Sequence, residues 1–206
     1  MLILASSSPR RQEILRLCHI DFKVQAAQVD EHHITRDWEA SGSKDPALLV
    51  KSLAKAKAGA IAKQYPKALV LGADTVVVNG RGEGLQVLGK PQEKAEAYAM
   101  LESLSGHKHR VYTGVALLGP ASEQGLIFHD MAEVEFYPLD DFQKEAISRY
   151  VESGQAMDKA GAYGIQDEAA ALIKGIQGDF FTVMGLPLSK VMRALDKAGY
   201  PFNPAF

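Results

Sequence analysis

Apolar residues arrive along this chain in two rhythms. A short unbroken run at residues 2–5 and a longer, mostly apolar one at 69–78 have the length of buried strands, the second rich in valine. From residue 46 to 64, Leu49, Leu53, Ala56 and Ala60 recur at helical spacing with lysines between them, the pattern of an amphipathic helix. Directly after the first run, Ser6-Ser7-Ser8-Pro9 offers a capping hydroxyl and a proline for the first helical position, so a strand runs straight into a helix. Three glycines between residues 79 and 84 predict a turn, with a strand returning over 85–88. Pro91 is expected to open a helix that Gly106 closes. Residues 111–118 and 126–136, parted by Gly119-Pro120 and a polar stretch, predict a hairpin with a loose loop. Residues 140–151 read as a helix, and a last one runs from Pro187 to Gly199 after a glycine-spaced segment over 175–185. Strands and helices mix without strict alternation, which predicts an α/β fold: a mixed sheet with helices on its faces. No internal repeat or low-complexity linker interrupts residues 1–206, so a single domain is expected.

Composition narrows the function classes. With 47% hydrophobic and 23% charged residues the chain can build a packed core, which excludes disordered and fibrous architectures. The 23 Lys+Arg against 25 Asp+Glu leave a net charge of −2, so an anion must be held by a local cluster and not by the bulk field. Nonspecific nucleic-acid binding is therefore disfavoured, and a module gripping RNA through Arg10-Arg11 lacks a stacking motif to go with them. Cys18 is the one cysteine, so neither an internal disulfide nor a cysteine-built zinc site is available. The N-terminus lacks the pattern of a secretory signal, and no stretch approaches the ~20 apolar residues of a membrane helix. A cytoplasmic protein with no membrane partner is expected.

Four segments carry candidate chemistry. Ser6, Ser8, Arg10 and Arg11 stand at a strand-to-helix turn, where backbone N–H groups and the helix dipole favour an anion and guanidiniums can fork onto phosphate. The alternative is an ordinary capped helix with exposed arginines. Asp74, beside Thr75 and after Gly72, interrupts an apolar strand, where a carboxylate is costly unless it is paired, metal-bound or facing a ligand. A structural hydrogen-bonding role is its alternative. The segment from Gly84 to Pro91 nearly matches a phosphate-binding Walker loop but ends in proline where a hydroxyl should hold magnesium, so only Lys90 is kept, as a point charge for phosphate. Asp158 to Gln166 packs an acid, Lys159, two glycines, Tyr163 and an amide into nine residues of one loop, a composition suited to ligand capture. His107 and His109 lack a third metal ligand at a recognisable spacing, and Asp30-Glu31 are placed in a polar loop of solvated carboxylates, though oxygen donors of this kind suit a hard cation.

Taken together, these segments resemble the Maf family of nucleoside triphosphate pyrophosphatases. The resemblance rests on Ala5-Ser6-Ser7-Ser8-Pro9-Arg10-Arg11, Leu53-Ala54 with Lys57-Ala58, Gly72-Ala73-Asp74-Thr75, Gly89-Lys90-Pro91, Ser105-Gly106 with Thr113, the segment Asp158 to Gln166, and Val183-Met184-Gly185-Leu186-Pro187, in one order along nearly the whole chain. It implies a Maf/ITPase-like fold, an elongated mixed sheet flanked by helices with a nucleotide cleft between two lobes, and a homodimer. It also implies cleavage of a nucleoside triphosphate between its α and β phosphates with a divalent metal, Mg²⁺ or Mn²⁺. By the same matching Asp74 is the proton acceptor, Glu31, Lys57, Lys90 and Arg11 belong to the phosphate and metal site with Asp74 and Glu31 as metal ligands, and Arg10, Thr75 and Gln166 govern substrate choice. Their identities resemble the branch acting on dTTP, UTP and modified uridine triphosphates, not the one favouring 7-methyl-GTP. The family is also associated with septum formation, which leaves a nucleotide-binding regulator of cell division as the alternative to an enzyme. The chain departs from its relatives at Asp167-Glu168, where a glycine is usual and an added charge falls beside the expected base pocket, at Phe180-Phe181, where tyrosine is common, and in a slightly extended turn over 80–84.

Overall fold

The structure, a computed structural model, describes residues 1–80, 84–119 and 122–202. The middle of the turn over 80–84 and the tip of the loop beginning at Gly119-Pro120 lie outside the described residues. Among the described residues, seven strands and seven helices follow in the order β1 (Leu2–Leu4), α1 (Pro9–Leu17), β2 (Phe22–Val24), α2 (Glu31–Ala40), α3 (Pro46–Ala62), β3 (Leu69–Asn79), β4 (Gln86–Leu88), α4 (Lys94–Leu104), β5 (Lys108–Gly119), β6 (Ser122–Phe136), α5 (Asp141–Glu152), β7 (Ile173–Gln177), α6 (Phe180–Met184) and α7 (Leu188–Lys197). Short 3-10 turns at Gln155–Asp158, Ala160–Ala162 and Glu168–Leu172 fill the stretch between α5 and β7.

The strands hydrogen-bond in the order β2-β1-β3-β5-β6-β7, with β4 alongside β3. β1 runs parallel to both β2 and β3, with Leu2 opposite Phe22 on one side and Leu69 on the other. β3 and β4 pair antiparallel, as do β6 and β7, so the sheet is mixed, as expected. The chain forms two compact units. The first comprises residues 1–74, 113–130 and 185–206, and the second residues 75–112 and 131–184.

In the first unit α3 lies unusually close to the strands, and small residues make that possible. A Cβ at Gly72 would stand 2.4 Å from the Ala54 carbonyl oxygen and 2.9 Å from the Ala58 methyl, and one at Gly114 would stand 2.2 Å from the Val50 carbonyl oxygen. Ala54 and Ala58, one helical turn apart, thus face a strand position that only glycine can fill. Ile3, Ile61, Val70 and Ala116 close the core around them. The second unit has its own core, with Leu101 and Leu104 of α4, Ile147 of α5, Phe136 and Tyr163 packed together. There Gly161, at φ 67°, sits against the Val77 side chain, and its N–H donates to the Gly89 carbonyl at 2.9 Å, tying the Asp158–Gln166 loop to the turn that carries Lys90.

Several expectations need correction. The helix assigned to start at Pro91 begins at Lys94: Glu93 is its extended cap, and Glu96 reaches back to accept from the Gln92 N–H at 2.6 Å. Glu31 is not in a polar loop but opens α2, with the Asp30 side chain capping it by accepting from the His33 N–H. The glycine-spaced segment over 175–185 contains the end of β7 and all of α6, the latter opened by Asp179, whose carboxylate accepts from the Thr182 N–H and hydroxyl. Of the hairpin strands, β5 is longer than predicted at both ends and β6 at its start.

Candidate active site

The chemistry-bearing residues of the first unit meet at Lys57. Its ammonium lies 2.5 Å from an Asp74 carboxylate oxygen and 2.9 Å from Glu31. The close approach of α3 to β3 brings the first pair together: Lys57 precedes Ala58 on the helix, Asp74 lies two residues beyond Gly72 on the strand, and each side chain is only 11% exposed. A carboxylate in the middle of an apolar strand is thereby paired instead of stranded, which removes most of the cost of burying it. Glu31 is half exposed and comes from the first turn of α2.

A second set of contacts converges on Arg11 of α1. Its Nε donates to the Gly185 carbonyl at 2.9 Å and one terminal N–H group to the Ser6 hydroxyl at 3.1 Å. Burial lowers the basicity of this guanidinium, and the like charge of Arg10 lowers it further, while Asp74 and Glu31 act in the opposite direction. Arg11 thus feels the charge of the same carboxylates that Lys57 bridges. The capping expectation shifts by two residues. Pro9 stands at the first position of α1 as predicted, but the Ser8 hydroxyl makes no cap, and the Ser6 hydroxyl accepts from the Ser8 N–H at 3.2 Å.

The other candidates belong to the second unit. Thr75, half buried, directly follows Asp74 on β3. Lys90 is exposed on the turn after β4. Lys159 is buried and salt-bridged to Asp158 at 2.9 Å and Asp167 at 3.3 Å. Asp167, part of the added charge noted in the sequence, is accordingly paired within the protein. The Gln166 amide oxygen is buried, with no hydrogen-bond partner among the described residues. His107 is exposed, whereas His109 is buried with its Nε2 2.8 Å from the Tyr163 hydroxyl and edge-on to Phe136. Tyr163 is thus a core residue, and neither histidine joins a metal-binding group. No cluster of three or more His, Cys, Asp or Glu suited to a metal occurs among the described residues.

Sequence reasoning missed the Gly185 carbonyl as an anchor for Arg11, because a backbone acceptor 174 residues away leaves no compositional signal. It also missed Tyr150 as a partner of Asp167, at 3.1 Å, because tyrosine on an amphipathic helix reads as core.

Known proteins are similar to this chain over nearly its whole length. The profile of the Maf family, described as Maf-like protein, matches residues 1–198. A dTTP/UTP pyrophosphatase from Symbiobacterium thermophilum is 51% identical over 201 residues, covering 97% of this chain and 95% of that protein. One from Shouchella clausii is 47% identical, covering 95% and 94%, and one from Geobacillus sp. strain WCH70 is 44% identical, covering 97% and 98%. Similarity end to end in several relatives, together with a mixed sheet that packs α3 onto the Gly72–Asp74 strand, makes this chain a member of the Maf family.

Proposed function

We propose that this protein is a nucleoside triphosphate pyrophosphatase that converts dTTP, UTP and modified uridine nucleotides to the monophosphate and pyrophosphate. The observation that carries the reading is the Glu31–Lys57–Asp74 chain, two carboxylates bridged by one cation and drawn from three separate elements, within the field of Arg11. Such a set is expensive to maintain for structure alone and suits a polyanion attacked by water.

In this reading Arg11 and Lys57 offset the triphosphate charge, Lys90 adds a point charge, and Ser6, Ser8 and the N-terminus of α1 supply further donors. Asp74 takes the proton from the attacking water at a carboxylate oxygen. The residues present fit a divalent ion, Mg²⁺ or Mn²⁺: Asp74 and Glu31 already share one cation, the Lys57 ammonium, and a pair of carboxylates completed by substrate phosphates is the usual protein share of a magnesium site. When bound, such an ion supplies charge neutralisation at the phosphates and a more acidic water. Arg10, Thr75 and Gln166 select the base, supported by the unpartnered buried amide oxygen of Gln166, which suits an N–H on a pyrimidine edge. Asp158 and Lys159 are carried as binding residues by the resemblance. The same resemblance supports a homodimer, and the lone Cys18 and the lack, among the described residues, of any helix long and apolar enough to cross a membrane are compatible with a cytoplasmic setting.

A screen of purified protein against the common nucleoside triphosphates, reading pyrophosphate release, tests this reading. Turnover led by dTTP and UTP is expected. Binding without pyrophosphate release would favour a nucleotide-sensing regulator instead.

A further inference from the structure

The second unit contains an ionic cluster centred on the buried Lys159, whose member Asp167 has no part in the reading above. Lys159 carries three N–H donors and meets three oxygens: the Gln155 carbonyl, Asp158 Oδ1 at 2.9 Å and Asp167 Oδ2 at 3.3 Å. The first two accept hydrogen bonds and the third is an ion pair, and the side chain is only 9% exposed. Asp167 is equally engaged. Its Oδ2 accepts from the Tyr150 hydroxyl at 3.1 Å and its Oδ1 from the Ala169 N–H at 3.0 Å, capping the turn that follows. Burial and the neighbouring Asp167 charge push the Tyr150 hydroxyl well above its ordinary range, so it stays a donor.

The cluster presses directly on the backbone before Gln166. A Cβ at Gly164 would stand 2.4 Å from Asp167 Oδ2 and 2.8 Å from Lys159 Cε, and the Gly164 carbonyl accepts from the Asp167 N–H at 3.4 Å. The turn from 164 to 167 is therefore closed at both ends, with Gln166 inside it and its amide oxygen buried and unpartnered among the described residues. A buried acceptor contributes to selection only if its direction is held, because a side chain free to swing can find another donor.

We propose that Lys159, Asp167 and Tyr150 form a clamp that aims the Gln166 amide, making Asp167 a positioning residue for base selection and Lys159 a strut of the same turn. The proposal rests on the reading of Gln166 as the residue that recognises the base. Its test is kcat/KM for dTTP, UTP, CTP and dGTP with wild type, Gln166→Ala, Asp167→Asn and the double variant, alongside the melting temperature of each. Gln166→Ala should lower the preference for dTTP and UTP by about tenfold or more. Asp167→Asn keeps the size of the side chain but removes its charge, and should lower that same preference about fivefold, mainly through KM. In the Gln166→Ala background it should change the preference by less than about twofold, since two residues acting through one contact do not add.

A preference unmoved by Gln166→Ala would sink the base reading and the clamp with it. A preference that collapses in Gln166→Ala but survives Asp167→Asn would overturn the clamp alone. An equal loss across all four nucleotides in Asp167→Asn would also overturn it, by assigning the cluster to the fold or the phosphates. Should Asp167→Asn not fold, Tyr150→Phe removes one donor to the same carboxylate oxygen and is expected to weaken the preference about twofold; no change there would contradict the clamp.

Discussion

At the scale of single residues, Asp74 changes character once its partners are known. Burial alone would make Asp74→Asn a relief of an isolated charge. The 2.5 Å contact with Lys57 reverses that expectation, because neutralising one partner weakens a pair whose other member is itself mostly buried. Glu31 remains beside the ammonium, so the loss should be modest, about 1–2 kcal/mol by denaturant titration. Turnover of dTTP should fall by about 10²-fold or more, the usual contribution of a general base. A variant with near-wild-type turnover would remove Asp74 from the mechanism. The sequence made Asp74 conspicuous because a carboxylate amid valines needs a reason, and Lys57 was visible as part of a motif. What it could not convey was that Lys57 and Asp74 touch, since that depends on how closely a helix and a strand approach.

That approach is a property of elements. Gly72 and Gly114 let the backbone of α3 come down onto β3 and β5, and Ala54 and Ala58 keep the facing side of the helix flat. Gly72→Ala would force a methyl to within 2.4 Å of a carbonyl oxygen, and backbone atoms cannot swing aside. A loss of about 1–3 kcal/mol or more is expected from such overpacking, with activity falling further than stability because Lys57 moves away from Asp74. Equal activity per folded molecule would refute the link between helix seating and catalysis. The elements easiest to read were those with an apolar stripe or run, such as α3 and β3. α2 escaped notice because none of its residues is buried, so it carries no stripe to detect, and Glu31 was placed in a loop for that reason. β2, with only three residues and none fully buried, left as faint a trace. Pro91 misled in the other direction, since a proline that favours a helix start also suits the extended entry that precedes Glu93.

For the molecule as a whole, acid should act through the core of the second unit. Burial holds His109 down at about 4, against an ordinary value near 6.5. The unfolded chain therefore takes up a proton below about pH 6.5 that the folded protein refuses until about pH 4. The stabilising preference for the neutral ring is complete above pH 6.5 and is lost as pH falls through that window, up to about 3 kcal/mol. Urea titrations from pH 7 to pH 4 should show this loss in wild type and less of it in His109→Gln; identical pH slopes would refute the assignment. The α/β class and mixed sheet were legible in the chain's rhythm of runs and stripes, whereas the division in two came only with the family resemblance, because β3, β5 and β6 each contribute residues to both units. The central claim is that water, activated at Asp74, attacks the α-phosphorus. Hydrolysis of dTTP in ¹⁸O-water with Mg²⁺ present, followed by mass spectrometry of the products, tests it most directly. The account predicts one ¹⁸O in the thymidine monophosphate and none in the pyrophosphate at early times; label in pyrophosphate, or in orthophosphate released alongside the diphosphate, would contradict it.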